Sequence, residues 1–412
     1  MSTEGTTRDR LGLDQAEWVR TYDLAHEVLR SGLFQPALHS KASAPLFGDS
    51  VITLEGREHL TRRRTELPLF SWQNIERYQA DAVGPALRQE LEAQRAAADG
   101  RTVDVDLIGL VRLALLRATA TILGVEGVVT SEDAARLQQI SDIVGVAAVL
   151  EFSTLPVAET IAQAMAARDE FVDRYYRPAH ARTAAEVAAG ALDADNVEGR
   201  ANLLELLLAR YPGWDDDALI RECLFFLTAS ANTSSNAAPH LFGELARWFE
   251  AHPEDRPLIE DAGFMQRAAS EALRLHPPVP ALLRRALEDV ELSDGRTIAE
   301  GALLAVGLLD ANRDPTRFGP DADRFDPHRV VAGKVHPYGM SFGMGPHACP
   351  GRPVAVGSGH GRDTDTVPMG IVVMVTQELF RQGARLSEQP PTVRDGMMDV
   401  RYARFPITLP PA

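Results

Sequence analysis

The stretch SFGMGPHACPG, residues 341–351, restricts this chain more than any other part of it. Gly343, Gly345 and Gly351 stand at short intervals around Cys349, with His347 two residues before it. Glycines so spaced let the backbone bend until its N–H groups face the sulfur, and such donors lower a thiol's pKa and favour the thiolate. The only other cysteine, Cys223, is 126 positions away, so a disulfide framework is not the design and a reducing cytoplasm is the expected setting.

The 412 residues are enough for a large core or for two to three domains. No run of eighteen apolar residues occurs and the first residues are polar, so neither a membrane span nor a secretory signal is expected. A net charge of −16 argues against nucleic acid or an anionic membrane as a partner.

Helical periodicity dominates. Residues 107–123 (LIGLVRLALLRATATIL) read as a buried helix ending near Gly124. Residues 157–177 place Ile161, Met165, Arg168, Val172 and Tyr175 on one face of a second helix, which Pro178 is expected to stop. A long helix should open after Pro212-Gly213, capped by one of Asp215–Asp217, and run toward Trp248 with a kink or break at Pro239. MQRAASEALRL should end at His276-Pro277-Pro278. Strand signals are few: 287–292, turning on Ser293-Asp294-Gly295, and 302–308. Asp310 to Val335 reads as a meander. The fold class expected is mainly α with small β-sheets (α+β), as one domain over 1–412 with a short polar N-terminus of about 15 residues.

A thiolate serving as sole protein ligand needs a metal whose other positions are already filled. Haem iron meets that need through four porphyrin nitrogens, whereas zinc and iron–sulfur sites want more cysteines or histidines than lie nearby. The pattern Phe342-Gly343-x-Gly345-x-His347-x-Cys349-x-Gly351 resembles the haem-binding signature of cytochrome P450 enzymes at each specified position. The resemblance extends over nearly the whole chain. Glu271-x-x-Arg274, which alone would mean only a helix-surface ion pair, is similar to the family's Glu-x-x-Arg motif, with Arg329 of FDPHR as its partner in the meander. His59 and Arg63 stand four apart and share a helix face. They resemble the family's propionate clamp, which Arg284 and His347 would complete; Arg62 and Arg64 read as a solvated basic face.

In the central helix the family usually carries Ala/Gly-Gly-x-Asp/Glu-Thr, where this chain has Ala229-Ser230-Ala231-Asn232-Thr233. Thr233 matches and would steady dioxygen or water; Asn232 replaces the acid and Ser230 the glycine. An amide cannot relay a proton as a carboxylate does. Cys223 reads as core filler. A second departure is the glycine-rich segment of about 353–370, where the family runs directly into a helix.

The resemblance implies a triangular, mostly α fold with haem b (iron protoporphyrin IX) between the long helix and the cysteine loop, and Cys349 as axial ligand. It implies a soluble, cytoplasmic bacterial monooxygenase that activates dioxygen, with electrons from NAD(P)H through a ferredoxin and its reductase. Its substrate would be a small, largely apolar molecule, with secondary metabolism the setting by base rate. Phe226, Ala229, Val279, Leu282, Met397 and Met398 are the candidate pocket residues. Asn232 keeps open an atypical oxidant, driven by peroxide or performing rearrangement, coupling or cleavage. A haem protein without turnover is the remaining reading.

Overall fold

The computed structural model describes residues 16–37, 41–128, 130–148, 150, 155–190, 201–357, 369–394 and 400–411. In chain order the principal helices are α1 (Tyr22–Arg30), α2 (Gly56–Glu66), α3 (Gly84–Ala98), α4 (Leu107–Leu123), α5 (Ser131–Ala148) and α6 (Val157–Phe171). They are followed by α7 (Arg177–Ala188), α8 (Leu203–Arg210), α9 (Asp216–Ala251), α10 (Ala262–Leu275), α11 (Arg352–Val356) and α12 (Ile371–Arg381). The strands are β1 (Glu17–Val19), β2 (Phe34–Pro36), β3 (Val103–Asp106), β4 (Ala281–Ala286), β5 (Val290–Glu291) and β6 (Thr297–Ile298). After them come β7 (Leu303–Gly307), β8 (Arg385–Leu386), β9 (Thr392–Val393), β10 (Tyr402–Arg404) and β11 (Pro406–Leu409).

The chain divides into two compact units. One comprises residues 1–38, 100–108 and 236–412, and the other 39–99 and 109–235. The first holds all the described strands. Its largest sheet has the order β1-β7-β4-β2, in which β1 runs parallel to β7 and β4 runs antiparallel to both β7 and β2. Val19, Leu29, Phe34, Leu304, Val306, Met340 and Met344 bury together in one core. Met340 and Met344 therefore anchor the cysteine loop in that core from its N-terminal side. Among its described residues the second unit has helices and no strands, with Leu110, Val111, Leu137, Phe171, Tyr175 and Leu207 among its buried side chains.

Several elements fall where periodicity puts them. Helix α4 covers 107–123, and Gly124 follows with a φ of 79° that an L residue rarely adopts. Asp215 caps α9, its Oδ1 accepting from Ala218 N at 2.8 Å. Helix α10 closes at His276.

Others differ. Pro178 does not end the helix begun at Val157. A wider turn at Val172–Tyr176 precedes it, and Pro178 sits in the first turn of α7, where its missing N–H costs no hydrogen bond. Within Val157–Phe171 the buried face is Thr160, Ala164, Ala167 and Phe171, one position off the expected Ile161, Met165 and Arg168, while Val172 and Tyr175 are buried as expected. Pro239 does not break α9, which continues to Ala251. The 287–292 strand shrinks to a two-residue pairing of β5 with β6. Strand β4 (ALLRRA) carries no clear strand signal in the sequence, because Arg284 and Arg285 interrupt its apolar run and its pairing partners lie far off in sequence.

Candidate functional site

The cysteine loop is built outward from buried anchors. Asn312 Oδ1 accepts from Met340 N at 2.7 Å, its Nδ2 meets Ser341 Oγ at 2.9 Å, and Ser341 Oγ donates to Leu273 O of α10 at 2.7 Å. Gly343 and Gly345 take φ values of 64° and 69°. A Cβ on Gly345 would come within 2.6 Å of Leu29 O in α1, so glycine is required there by both conformation and space. The loop closes on a bond from Cys349 N to Phe342 O of 2.7 Å. Cys349 is thereby presented exposed, beside a cavity of about 320 Å³ lined by Arg30, Tyr338, Phe342, Gly343, Cys349 and Arg352. Cys223 is the opposite case. It is fully buried, and burial pushes its thiol pKa well above the ordinary range, so it stays an inert core residue.

Strand β4 runs next to this loop. Leu282 Cδ1 lies 3.9 Å from the place a Cβ on Gly343 would take, and Arg284, two residues on, shares that strand face. Arg284 is buried and donates from Nη1 to Leu283 O. Val279 and His347 are half-buried. Glu271, Arg274 and Arg329 come together in the same unit: Arg274 Nε and Nη2 bond both Glu271 oxygens at 2.7 Å, and Arg329 Nε bonds Glu271 Oε1 at 2.9 Å.

The other candidates belong to the second unit. On α9, Ala229 and Thr233 lie one turn apart on an exposed face, and Thr233 Oγ1 donates to Ala229 O at 2.9 Å. Ser230 Oγ meets Thr119 Oγ1 of α4 at 2.7 Å. Asn232 Nδ2 donates to Thr228 O at 3.3 Å, and a Cβ on Gly145 of α5 would stand only 2.8 Å from it. Thr119 and Gly145 carry no sequence signal; only the packing of α4 and α5 against α9 names them. Phe226 is buried and stacks on Phe70 at 6.2 Å. His59 is buried and Arg63 half-buried on α2. Met397 and Met398 lie outside the described residues.

One expectation is corrected here. Arg64 is exposed, but Arg62 is not part of a solvated face: it is buried, ion-paired to Glu222 and seated 3.8 Å over Trp214. The signal was present in RECLFFL, a glutamate inside an apolar run that must find a cation once buried. Glu66 joins this pair with its Oε1 buried and unbonded. Burial, then the Glu222 charge, raises its carboxyl pKa well above the usual range. A carboxyl so raised holds its proton in the folded chain while the unfolded chain ionises, so its contribution falls as pH climbs above the unfolded value. Glu66→Gln should therefore gain on the order of 1 kcal/mol at pH 8, where an amide N–H can serve the Glu222 carboxylate. The gain should vanish near pH 4; urea midpoints at both pH values measure it, and no gain at pH 8 would contradict the assignment.

At the far side of the cysteine loop, α11 stops after five residues at Gly357, whose φ is 88°. Gly357 bridges to Met369 before α12 begins. A Cβ on Gly370 would fall 2.1 Å from Ala355 O, so the two ends of the glycine-rich segment meet backbone to backbone. Residues 358–368 of that segment lie outside the described residues.

The donor set at Cys349 can be tested against a cofactor. Among the described residues no cluster of three or more His, Cys, Asp or Glu side chains could hold a metal ion. A metal at this sulfur must bring its own equatorial ligands, which a porphyrin does. The exposed thiol, the glycine-bent loop and the neighbouring apolar and cationic strand residues fit haem.

A single exposed cysteine on a glycine-bent loop, in a mostly helical chain with small sheets, fits the haem-thiolate class of oxidoreductases. A family profile described as Cytochrome P450 matches residues 257–356. The cytochrome P450 monooxygenase sphH of Aspergillus fumigatus is 24% identical over 380 residues, covering 79% of this chain and 68% of that protein. The other curated relatives match over about a third or less of their own length. Among solved structures, CalO2 superposes with a TM-score of 0.73 at 22% identity, covering 100% of this chain and 99% of that one. The LnmA hydroxylase from the leinamycin pathway of Streptomyces atroolivaceus gives 0.68 at 22% identity, covering 99% and 96%. The profile match, these relatives and the shared fold together support a cytochrome P450, an oxidoreductase class that carries haem. No described helix is long and apolar enough to cross a membrane.

Proposed function

We propose that this chain is a monooxygenase that inserts an oxygen atom from dioxygen into a small, largely apolar substrate in bacterial secondary metabolism. The observation that carries the reading is the presentation of Cys349 on a glycine-bent loop beside Leu282 and Arg284. Haem, when bound, supplies the redox chemistry that activates dioxygen. Cys349 Sγ would hold it as a thiolate ligand, and His59, Arg63, Arg284 and His347 are the candidate partners for its propionates. The cofactor form proposed is haem b. The LnmA structure, a hydroxylase of a biosynthetic pathway, supports the metabolic setting. Because the sequence carries no flavin or iron–sulfur signature, the proposed donors are NAD(P)H, a ferredoxin reductase and a ferredoxin, in the cytoplasm.

Thr233 Oγ1 is the hydroxyl best placed on α9 to hold a proton or a water, since its bond to Ala229 O is a local one that rotation releases. Asn232 cannot relay a proton, and its amide is engaged with Thr228 O. Asn232→Asp exchanges that donor for an acceptor, which the Thr228 carbonyl repels, so the new carboxylate turns free to serve Thr233 or water. Product formed per NADPH should rise at least about twofold, well short of the ~10²–10⁴-fold a full general acid can supply. Unchanged or lower yield would sink the idea that the missing acid limits the enzyme. The engagement of Asn232 also favours a second reading, a peroxide-driven oxidant, in which peroxide brings its own protons. Comparing turnover with ferredoxin and NADPH against peroxide alone separates the two.

A further inference from the structure

In the first unit, two imidazoles stack against each other. His240 of α9 lies 4.1 Å, centroid to centroid, from His276, with their planes 9° apart. His240 is 5% exposed, and its Nε2 stands 2.9 Å from Val400 O. A carbonyl only accepts, so the ring carries its proton on Nε2. His276 Nε2 is 2.9 Å from Glu244 Oε1, and it donates there for the same reason. Tyr402 of β10 closes the other flank at 4.9 Å.

Each partner leads somewhere. His276 ends α10 and begins His276-Pro277-Pro278-Val279-Pro280, which enters β4. Pro278 O accepts from Arg401 Nη2 at 2.5 Å, and Pro280 O accepts from Leu308 N at 2.9 Å. Two residues after Pro280 stands Leu282, whose Cδ1 lies 3.9 Å from the place a Cβ on Gly343 would take. This proline-rich segment is therefore held at three points, and the stack is the one at its origin.

We propose that the His240–His276 stack is a positioning device that sets the Val279–Leu282 segment against the Cys349 loop and so decides which bulky ligands fit there. This rests on the haem-thiolate reading above. Both histidines would act through this segment. The electrostatic surroundings suit a neutral imidazole at 240. Burial, His276 and Arg247 push its pKa down to about 3, against the bond to Val400 O. At Glu244 burial pulls upward, but the His276 bond with Arg247 and Arg313 holds the carboxyl below its usual range, so a charged acceptor faces His276. His276, Glu244, Arg247, Arg313, Tyr402 and Val400 O are the groups that face the pair.

The test uses the full haem-loaded chain and two nitrogenous haem ligands, imidazole and the bulkier 4-phenylimidazole, titrated by absorbance. His240→Phe keeps a stacked ring but loses the N–H to Val400 O, and His240→Gln restores a donor. His240→Phe should bind 4-phenylimidazole about tenfold more weakly, with imidazole affinity within about twofold and the carbon monoxide spectrum unchanged; His240→Gln should recover part of the loss. Equal weakening of both ligands, or of neither, would overturn the proposal while leaving the haem-thiolate reading intact. A readout independent of haem is the side-chain nitrogen NMR spectrum of the wild-type chain. A protected Nε2–H at His240 near pH 6 is expected, and a rapidly exchanging or Nδ1-protonated ring would overturn the proposal.

Discussion

Arg274→Ala is expected to cost about 3–5 kcal/mol, a large part of the roughly 5–15 kcal/mol that holds a typical domain folded. The side chain is wholly buried and uses its fork in full. Nε and Nη2 bind the two Glu271 oxygens, and Nη1 donates to Asn312 O at 2.6 Å and Ala322 O at 2.5 Å. The guanidinium also lies 4.9 Å over the Phe318 ring. Removing it strands a buried carboxylate with Arg329 as its one remaining cation among the described residues and leaves the two carbonyls without this donor. Arg274→Lys should rescue little, because an ammonium cannot span the same planar set of acceptors. Urea unfolding with an unchanged m-value gives the figure. A loss under about 1 kcal/mol would show that the triad does not brace the meander, and with it Asn312 and the cysteine loop.

The second large effect separates chemistry from stability. Cys349→Ser should abolish monooxygenase turnover and the thiolate signature of the ferrous carbon monoxide complex, yet change folding stability by less than about 0.5 kcal/mol. The loop is held by backbone bonds, Cys349 N to Phe342 O and Ala348 N to Gly345 O, neither of which needs the sulfur. The side chain is exposed, so its truncation opens no core cavity. Retention of a thiolate spectrum in this variant would place the ligand elsewhere. The other cysteine, Cys223, is fully buried and disfavoured as a thiolate by burial, so that result would overturn the proposed site as a whole.

The residues that announce the site are local in sequence. Cys349 with its glycines, Glu271 with Arg274, and the continuous apolar pattern of 107–123 each express one turn or helix, whose geometry follows from spacings of two to four residues. These were legible without a structure. Asn232 was legible as a departure, but its consequence was not, since the Gly145 backbone that crowds it comes from another helix. Pro178 shows the limit from the other side. Its helix-breaking chemistry is real, yet a wider turn just before it and a place in the first helical turn remove the penalty.

The chain alone specified the cysteine loop, the helix at 107–123, the end of α10 and the Glu271–Arg274 pair, because short-range backbone geometry and charge pairing within a turn need no distant partner. Tertiary structure decided that Arg62 is buried against Glu222 and Trp214, that Ser230 meets Thr119, and that His240 stacks on His276. These pairs are separated by 36 to 160 positions, and desolvation, which determines what a charged or aromatic side chain must contact, exists only after the helices have packed.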